Sequence, residues 1–289
     1  MAIFKNPAWV EQHNFNYNSV DEVPQSLFDE INRDLDKLQS NEPVVSVVIP
    51  AMNEEVNVLK TIASLARSKT KYPMEILVVN NNSTDRTQDT LDRLHVRSAF
   101  QHIAGWGPAR QKGLEEARGK YILQADADCI YASGWVDTMI DSLQQEGVVC
   151  VYGRYSFIAE PGFPRWQLFV WEKLKDMMAE IRHVKRPFLN AYGVSFGYHK
   201  EPALKIGFVM EKIRGEDGRM CFDLMKHGKV KAVRASHIRA WTGPRTLRLD
   251  GSLIKAFVRR ATKEVKRFHE MFVPMPDHDT KTSKNRFDW

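Results

Sequence analysis

Three cysteines in 289 residues, Cys129, Cys150 and Cys221, stand at no paired or metal-like spacing, which argues against a disulfide scaffold or a zinc module. No apolar run approaches the roughly 18 residues of a membrane span. The opening MAIFKNPAWVEQHNFNYNS has neither the basic start nor the apolar stretch of a secretory leader. Internal repeats and low-complexity tracts are missing as well. These absences point to a soluble, cytoplasmic protein, with one large domain or two small ones at about 150 residues each. Hydrophobic residues, 43% of the chain, are ample for a core. The net charge of +6 is too small, without a clustered basic and aromatic face, for a nucleic-acid binder, yet it suits a phosphate-bearing ligand. That charge is unevenly spread: residues 1–43 are net −5, residues 44–244 net +6, and residues 245–289 net +5.

From Pro43 onward, short β-branched runs alternate with stretches of helical spacing. Strands are expected at Val44–Ile49, ended by Pro50, and at Glu75–Val79, Lys120–Ala125 and Val148–Gly153. Helices are expected at Glu54–Arg67, Asp85–Leu94, Pro108–Arg118, Gly134–Gln145, Arg165–His183, Glu216–His227 and Ser252–Phe272. Residues 187–199 read as a strand with glycine kinks. Such alternation implies an α/β protein with a mostly parallel central sheet and helices on both faces. Ligands of these sheets bind at the carboxyl ends of the strands, and the polar clusters fall there. An N-terminal arm (1–43) and a C-terminal basic amphipathic helix and tail (246–289) flank the main domain (44–245). The terminal helix, with Leu253, Phe257 and Phe268 opposite Lys255, Arg259 and Lys263, either packs its apolar face on the domain or lies on an anionic membrane surface.

Three strand ends carry the chemistry: VVSVVIPAMNEE (44–55), EILVVNNNSTDRT (75–87) and GKYILQADADC (119–129). Asp126 and Asp128, two apart at a strand end, direct their side chains to one side. Paired carboxylates there hold a hard divalent cation, or they cap the following turn. Asn53 and Glu54 suit a helix cap, and Asp85 reads as the N-cap of the next helix. The segments GWGPARQKG (105–113) and Gly215-Glu216-Asp217 follow in order, the latter opening a helix whose dipole favours carboxylates.

These motifs, in this order and spacing, resemble family 2 glycosyltransferases of the GT-A fold, over residues 44–245, about 70% of the chain. The resemblance implies a nucleotide-binding half (44–130) and an acceptor-binding half (150–245). It places Pro50, Ala51, Asn53, Glu54, Asn80 and Asp126 around the nucleoside of a donor, with Asn80 standing where a carboxylate accepts the uracil N–H. Arg110 then reaches toward the nucleotide or diphosphate. Asp128 becomes the direct ligand of magnesium or manganese, with Asp126 beside it and His237 as a third ligand late in the chain. Asp217 becomes the base that deprotonates an acceptor hydroxyl, with Glu216 its neighbour, and Arg245 can contact phosphate. Trp166, Trp171, Tyr192 and Phe196 either stack on acceptor sugars or belong to the core.

The implied function is an inverting, metal-dependent transfer of a sugar from a UDP-sugar to a saccharide or lipid-linked saccharide, as in cell-envelope polysaccharide synthesis. The implied location is the cytoplasm or the inner face of the cell membrane. A non-catalytic nucleotide- or saccharide-binding protein on a degenerate GT-A fold is the alternative. A sugar-phosphate nucleotidyltransferase would need a glycine-rich loop after the first strand, where this chain has PAMNEE.

Overall fold

The computed structural model describes residues 3–210 and 215–249, together with Thr262. The expected helix over 252–272 therefore lies outside the described residues. Ten strands are present among the described residues: β1 (Val45–Ala51), β2 (Met74–Asn80), β3 (Arg97–Phe100), β4 (Tyr121–Gln124), β5 (Cys129–Ile130), β6 (Val148–Tyr152), β7 (Tyr155–Phe157), β8 (Phe196–His199), β9 (Lys229–Ala232) and β10 (Ala240–Thr242). Seven of them form one sheet in the order β3-β2-β1-β4-β8-β6-β9. Every pairing in it is parallel except those of β8, which runs antiparallel to both β4 and β6. A small second sheet, β5-β10-β7, lies beyond the carboxyl end of β4.

Both faces of the large sheet are covered, as its continuous apolar strands require. Alternate residues of β1 turn opposite ways. Val45, Val47 and Ile49 join a core with the helices Gln25–Leu38, Asn57–Ala66 and Trp135–Leu143. Val48, with Leu77, Val79 and Ile122, joins the other core, under the helices Trp106–Glu116, Lys200–Ile206 and Glu216–Leu224. The segment read as an arm contributes directly to the first core: Phe28, Ile31 and Leu35 are buried on one side of Gln25–Leu38, at the spacing of an amphipathic helix.

Two local expectations need correction. Pro50 does not end β1, which continues to Ala51 with Pro50 opposite Val79. The even-numbered residues of β1 turn their backbone groups toward β4, and that pairing stops at Val48–Gln124. The missing N–H of Pro50 therefore falls where no ladder bond is available to lose. Residues 187–199 are not one strand: the 3₁₀ turns Pro187–Asn190 and Gly193–Ser195 precede the four residues of β8. Trp171 and Phe196 belong to the core, whereas Trp166 and Tyr192 are exposed.

Candidate active site

The carboxyl ends of β1, β2 and β4 meet in one polar cluster. β1 delivers Pro50 and Ala51, then a turn in which Asn53 adopts a left-handed φ of 56°. The Asn53 side chain accepts the backbone N–H of Thr84 at 2.8 Å, and the Asn53 backbone N–H donates to Ser83 Oγ at 3.0 Å. This ties the loop after β1 to the loop after β2. Asn80, at the end of β2, is buried and spent on its own turn: its carbonyl accepts Ser83 N–H at 3.0 Å and its amide donates to Gln88 at 2.8 Å. Asn82 turns the chain with φ 52°, a conformation that asparagine tolerates better than most residues. Asp85 accepts the backbone N–H of Thr87 at 3.0 Å but stands one residue before the N-cap of the helix Thr87–Asp92, which is Arg86.

The third strand end holds the acidic pair. Asp126 and Asp128 lie just past β4, in the turn into β5 rather than on the strand, yet the turn brings them together. Ligand atoms of Asp126, Asp128 and Cys129 all lie within 4.8 Å of one another. Tyr131 Oη accepts the Asp126 backbone N–H at 2.9 Å and donates to the Val194 carbonyl, also at 2.9 Å. Burial pushes the Asp126 carboxyl up to about 6, a rise that Asp128 adds to and Arg110 opposes. Burial, with both aspartates adding to it, also holds the Cys129 thiol well above its usual range, so it stays protonated. The usable donors are thus two carboxylates, a hard oxygen set that fits magnesium or manganese.

Arg245 marks the same spot with its own charge. Its Nη2 lies 2.6 Å from Asp128 Oδ2 and 2.9 Å from Glu54 Oε1. Glu54 is buried, which raises its carboxyl, and it also accepts Asn57 Nδ2 at 2.8 Å. Lys60, whose ammonium burial weakens, feels the charges of Asp128 and Glu54. His237 is exposed on the one-turn helix Ser236–Ile238 and does not join the Asp126–Asp128 group.

The second half of the site comes from the helices on the other side of β4. Gly215, at φ 92°, turns the chain into the helix Glu216–Leu224, whose first two residues are both buried. Arg110 is not extended toward open solvent; it is buried between the two clusters. Its Nη2 donates to Asp217 Oδ2 at 2.9 Å and lies 3.7 Å from Asp126 Oδ1, while Nη1 lies 3.3 Å from Glu216 Oε1. The Gly193 backbone N–H also donates to Asp217 Oδ2, at 2.7 Å. A side chain at Gly193 would collide with Arg110, its Cβ falling 1.7 Å from Nη2.

Asp217 Oδ1 lies 2.6 Å from Arg110 Nε but off the line of a hydrogen bond, and it accepts none among the described residues. Burial pushes the Asp217 carboxyl up to about 8 against the pull of Arg110, with Glu216 and Asp126 adding to the rise. A buried carboxylate with an unused oxygen and a raised pKa can accept a proton near neutral pH.

Gly193, Tyr131 and Lys60 escaped the sequence reading. The glycine could have been found only as one of several kinks in 187–199, and Tyr131 and Lys60 have no local signal at all.

Comparison with known proteins agrees with this layout. Residues 46–207 match the family described as Glycosyl transferase family 2. A glycosyltransferase AglE of Haloferax volcanii is 30% identical over 156 residues, covering 50% of each chain. A putative teichuronic acid biosynthesis glycosyltransferase, TuaG of Bacillus subtilis, is 27% identical over 129 residues, covering 42% of this chain and 50% of its own. The chain thus spans about half the length of these curated relatives.

Among solved structures, the mannosyltransferase PcManGT from Pyrobaculum calidifontis, in complex with GDP-Man and Mn2+, superposes with a TM-score of 0.53 at 17% identity. It covers 88% of this chain and 74% of its own. S. aureus TarS 1-349 in complex with UDP-GlcNAc gives 0.51 at 18% identity, over 69% of this chain and 58% of its own. At these identities the likeness is one of fold, and the fold is that of GT-A glycosyltransferases. With the family pattern running through β1, β2, β4 and β8, the chain belongs to glycosyl transferase family 2.

Proposed function

We propose that the protein transfers a sugar from a nucleotide-diphosphate donor, UDP-linked, to a hydroxyl of a saccharide or lipid-linked saccharide, with inversion at the anomeric carbon. One observation carries this reading. Asp126, one of the acidic pair past β4, and the buried Asp217 are joined through a single guanidinium, Arg110, so a donor-side cluster and a base-side cluster share one site. The residues after β1 and β2 border the donor side, and Gly193 and the helix Glu216–Leu224 border the acceptor side.

Asp128 and Asp126 would hold magnesium or manganese. The carboxylate pair fits such an ion, and Arg245 already sets a positive charge against Asp128. When bound, the metal neutralises the departing diphosphate. Arg245 and Lys60 supply further positive charge on the same side. On the other side, Asp217 Oδ1 accepts the proton of the acceptor hydroxyl as that oxygen attacks. Glu216 adds negative charge that raises the affinity of Asp217 for the proton. Arg110 Nη2 and the Gly193 N–H both hold Oδ2 of Asp217, which leaves Oδ1 for the acceptor proton. Asn80, with its carbonyl committed to Ser83, reads the base less directly than a carboxylate would. That weakens the support for uracil, and the relatives' complexes include both GDP-Man and UDP-GlcNAc.

The binding-protein alternative has an observation in its favour: Asp217 is ion-paired in this structure. A binding and turnover screen of UDP-, GDP-, ADP-, CMP- and dTDP-sugars with manganese separates the two. One nucleotide that binds only with metal, loses binding in Asp128→Ala, and turns over in wild type but not in Asp217→Asn supports the transferase. Metal-dependent binding without turnover supports the binding protein, and no metal-dependent binding overturns both.

A further inference from the structure

The helix Arg165–Lys185 presents an apolar stripe that nothing in the donor and base assignments uses. Trp166, Val170, Met177, Ile181 and Val184 are all exposed, Val184 at 80%. At 3.6 residues per turn, these five positions fall within about 60° of one another and run about 27 Å along the axis. The opposite face is fixed to the protein. Arg165, Leu168, Trp171, Glu172 and Asp176 are buried on it. Glu172 accepts both Nη groups of the buried Arg165, at 3.0 and 2.9 Å, and Asp176 accepts Arg239 Nη1 at 2.7 Å.

The charges on this helix are segregated. Of its three acidic residues, Glu172 and Asp176 point inward, and Glu180 is neutralised by Arg154 and Arg234. Lys173 and Lys185 are exposed on the two flanks of the stripe. An apolar ridge edged by lysines, on a helix held rigidly from behind, is the arrangement of a segment that lies in the plane of a bilayer with its basic flanks on lipid phosphates. Among the described residues no helix is long and apolar enough to cross a membrane. A second copy of this chain would set lysine-edged ridges against each other, and residues 245–289 are themselves net +5. An anionic lipid surface is the occupant whose charge matches.

We propose that this helix docks the protein on anionic phospholipid membranes through Trp166, Val170, Met177, Ile181 and Val184. The chain leaves the helix through the turn Pro187–Asn190 and reaches Tyr192 and Gly193 within a few residues. Asn190 in that turn donates to the Ala179 carbonyl of the helix at 2.8 Å, so the segment leading to the proposed acceptor side is tied to the helix that would carry the protein on the lipid surface. Membrane binding needs no nucleotide, so it stands or falls separately from the transfer reaction.

The test is flotation of the purified full chain with vesicles of phosphatidylcholine containing about one third phosphatidylglycerol, beside vesicles of phosphatidylcholine alone. Wild type should float with the anionic vesicles, and the double variant Val170→Glu/Met177→Glu should partition at least tenfold less, with an unchanged melting temperature. Should that variant fold poorly, Trp166→Phe gives a second readout. Brominated lipid should quench wild-type fluorescence, and the quenching should fall in the variant. Failure of wild type to float overturns the proposal. So does equal flotation of wild type and the double variant, which would move binding to another surface such as residues 252–272. A wild-type dimer that the double variant dissolves would also overturn it, by assigning the ridge to a second copy.

Discussion

In the proposed reaction Asp217 would serve two roles that pull against each other: it would accept a proton, and it is also the anion that balances a buried arginine. Only its ionised form is a base, and burial holds its folded pKa up to about 8. Turnover should therefore rise with pH and level off above that value, instead of being flat from about pH 5 as an ordinary carboxylate would make it. A pH profile of kcat at saturating donor checks this. Asp217→Asn should lower kcat by about 10²–10⁴ while leaving metal-dependent nucleotide binding in place, measured by calorimetry and turnover side by side. Arg110→Gln removes the charge that opposes the upward shift, so the kcat profile should move to higher pH. It also leaves Asp217, Glu216 and Asp126 unbalanced, at a cost of about 3–5 kcal/mol in stability, readable by denaturant unfolding.

Residue roles were only partly legible in the sequence. Asp126, Asp128, Glu216 and Asp217 stand out because carboxylates cluster at strand and helix ends. Arg110 stands out too, but its partners do not: Asp217 lies 107 residues away, and no local pattern encodes that pairing.

Between elements, two buried contacts carry testable consequences. Gly193 lets the 3₁₀ turn before β8 press against Arg110, and Gly193→Ala should displace that guanidinium. The expected result is a loss of about 1–3 kcal/mol in unfolding free energy together with a drop in kcat. The second contact is the buried layer under the long helix. Glu172 accepts the Phe157 backbone N–H at 2.7 Å and pairs with Arg165, neither side chain reaching solvent. Glu172→Gln should cost about 3–5 kcal/mol, and the double variant Arg165→Met/Glu172→Leu should recover most of it, because it leaves no charge buried alone. Chemical denaturation of the three proteins tests this.

The strands β1, β2, β4 and β6 were readable because continuous runs of Val, Ile and Leu mark strands buried on both faces. The turns in 187–199 were not readable, since what bends that segment is a close approach to Arg110 and not its own β propensity.

At the scale of the whole molecule, the order of motifs implied the doubly covered sheet, and the strand ends gave the side on which the chemistry sits. The antiparallel entry of β8 between β4 and β6 was not visible, because four residues carry little periodicity and their neighbours in the sheet are chosen by the entire fold. Donor nucleotide with manganese should raise the melting temperature of wild type, by about 2.7 kcal/mol of stabilisation at a hundredfold excess over Kd. EDTA should remove that gain, and Asp128→Ala should not show it, as thermal shift measurements would establish.

The position of β8 also bears on how the chain is made. β4, with the acidic pair at its end, is hydrogen-bonded on one side by β1 and on the other by residues 196–199. Until the ribosome has released that later segment, β4 presents a bare edge of unpaired N–H and C=O groups flanked by apolar side chains, the kind of surface on which nascent chains stick to one another. A fragment that stops short of His199 keeps the donor-side motifs but also keeps that edge open. Residues 44–130 are thus not a module that can be cut out, since β4 is paired on both sides only once β8 closes it.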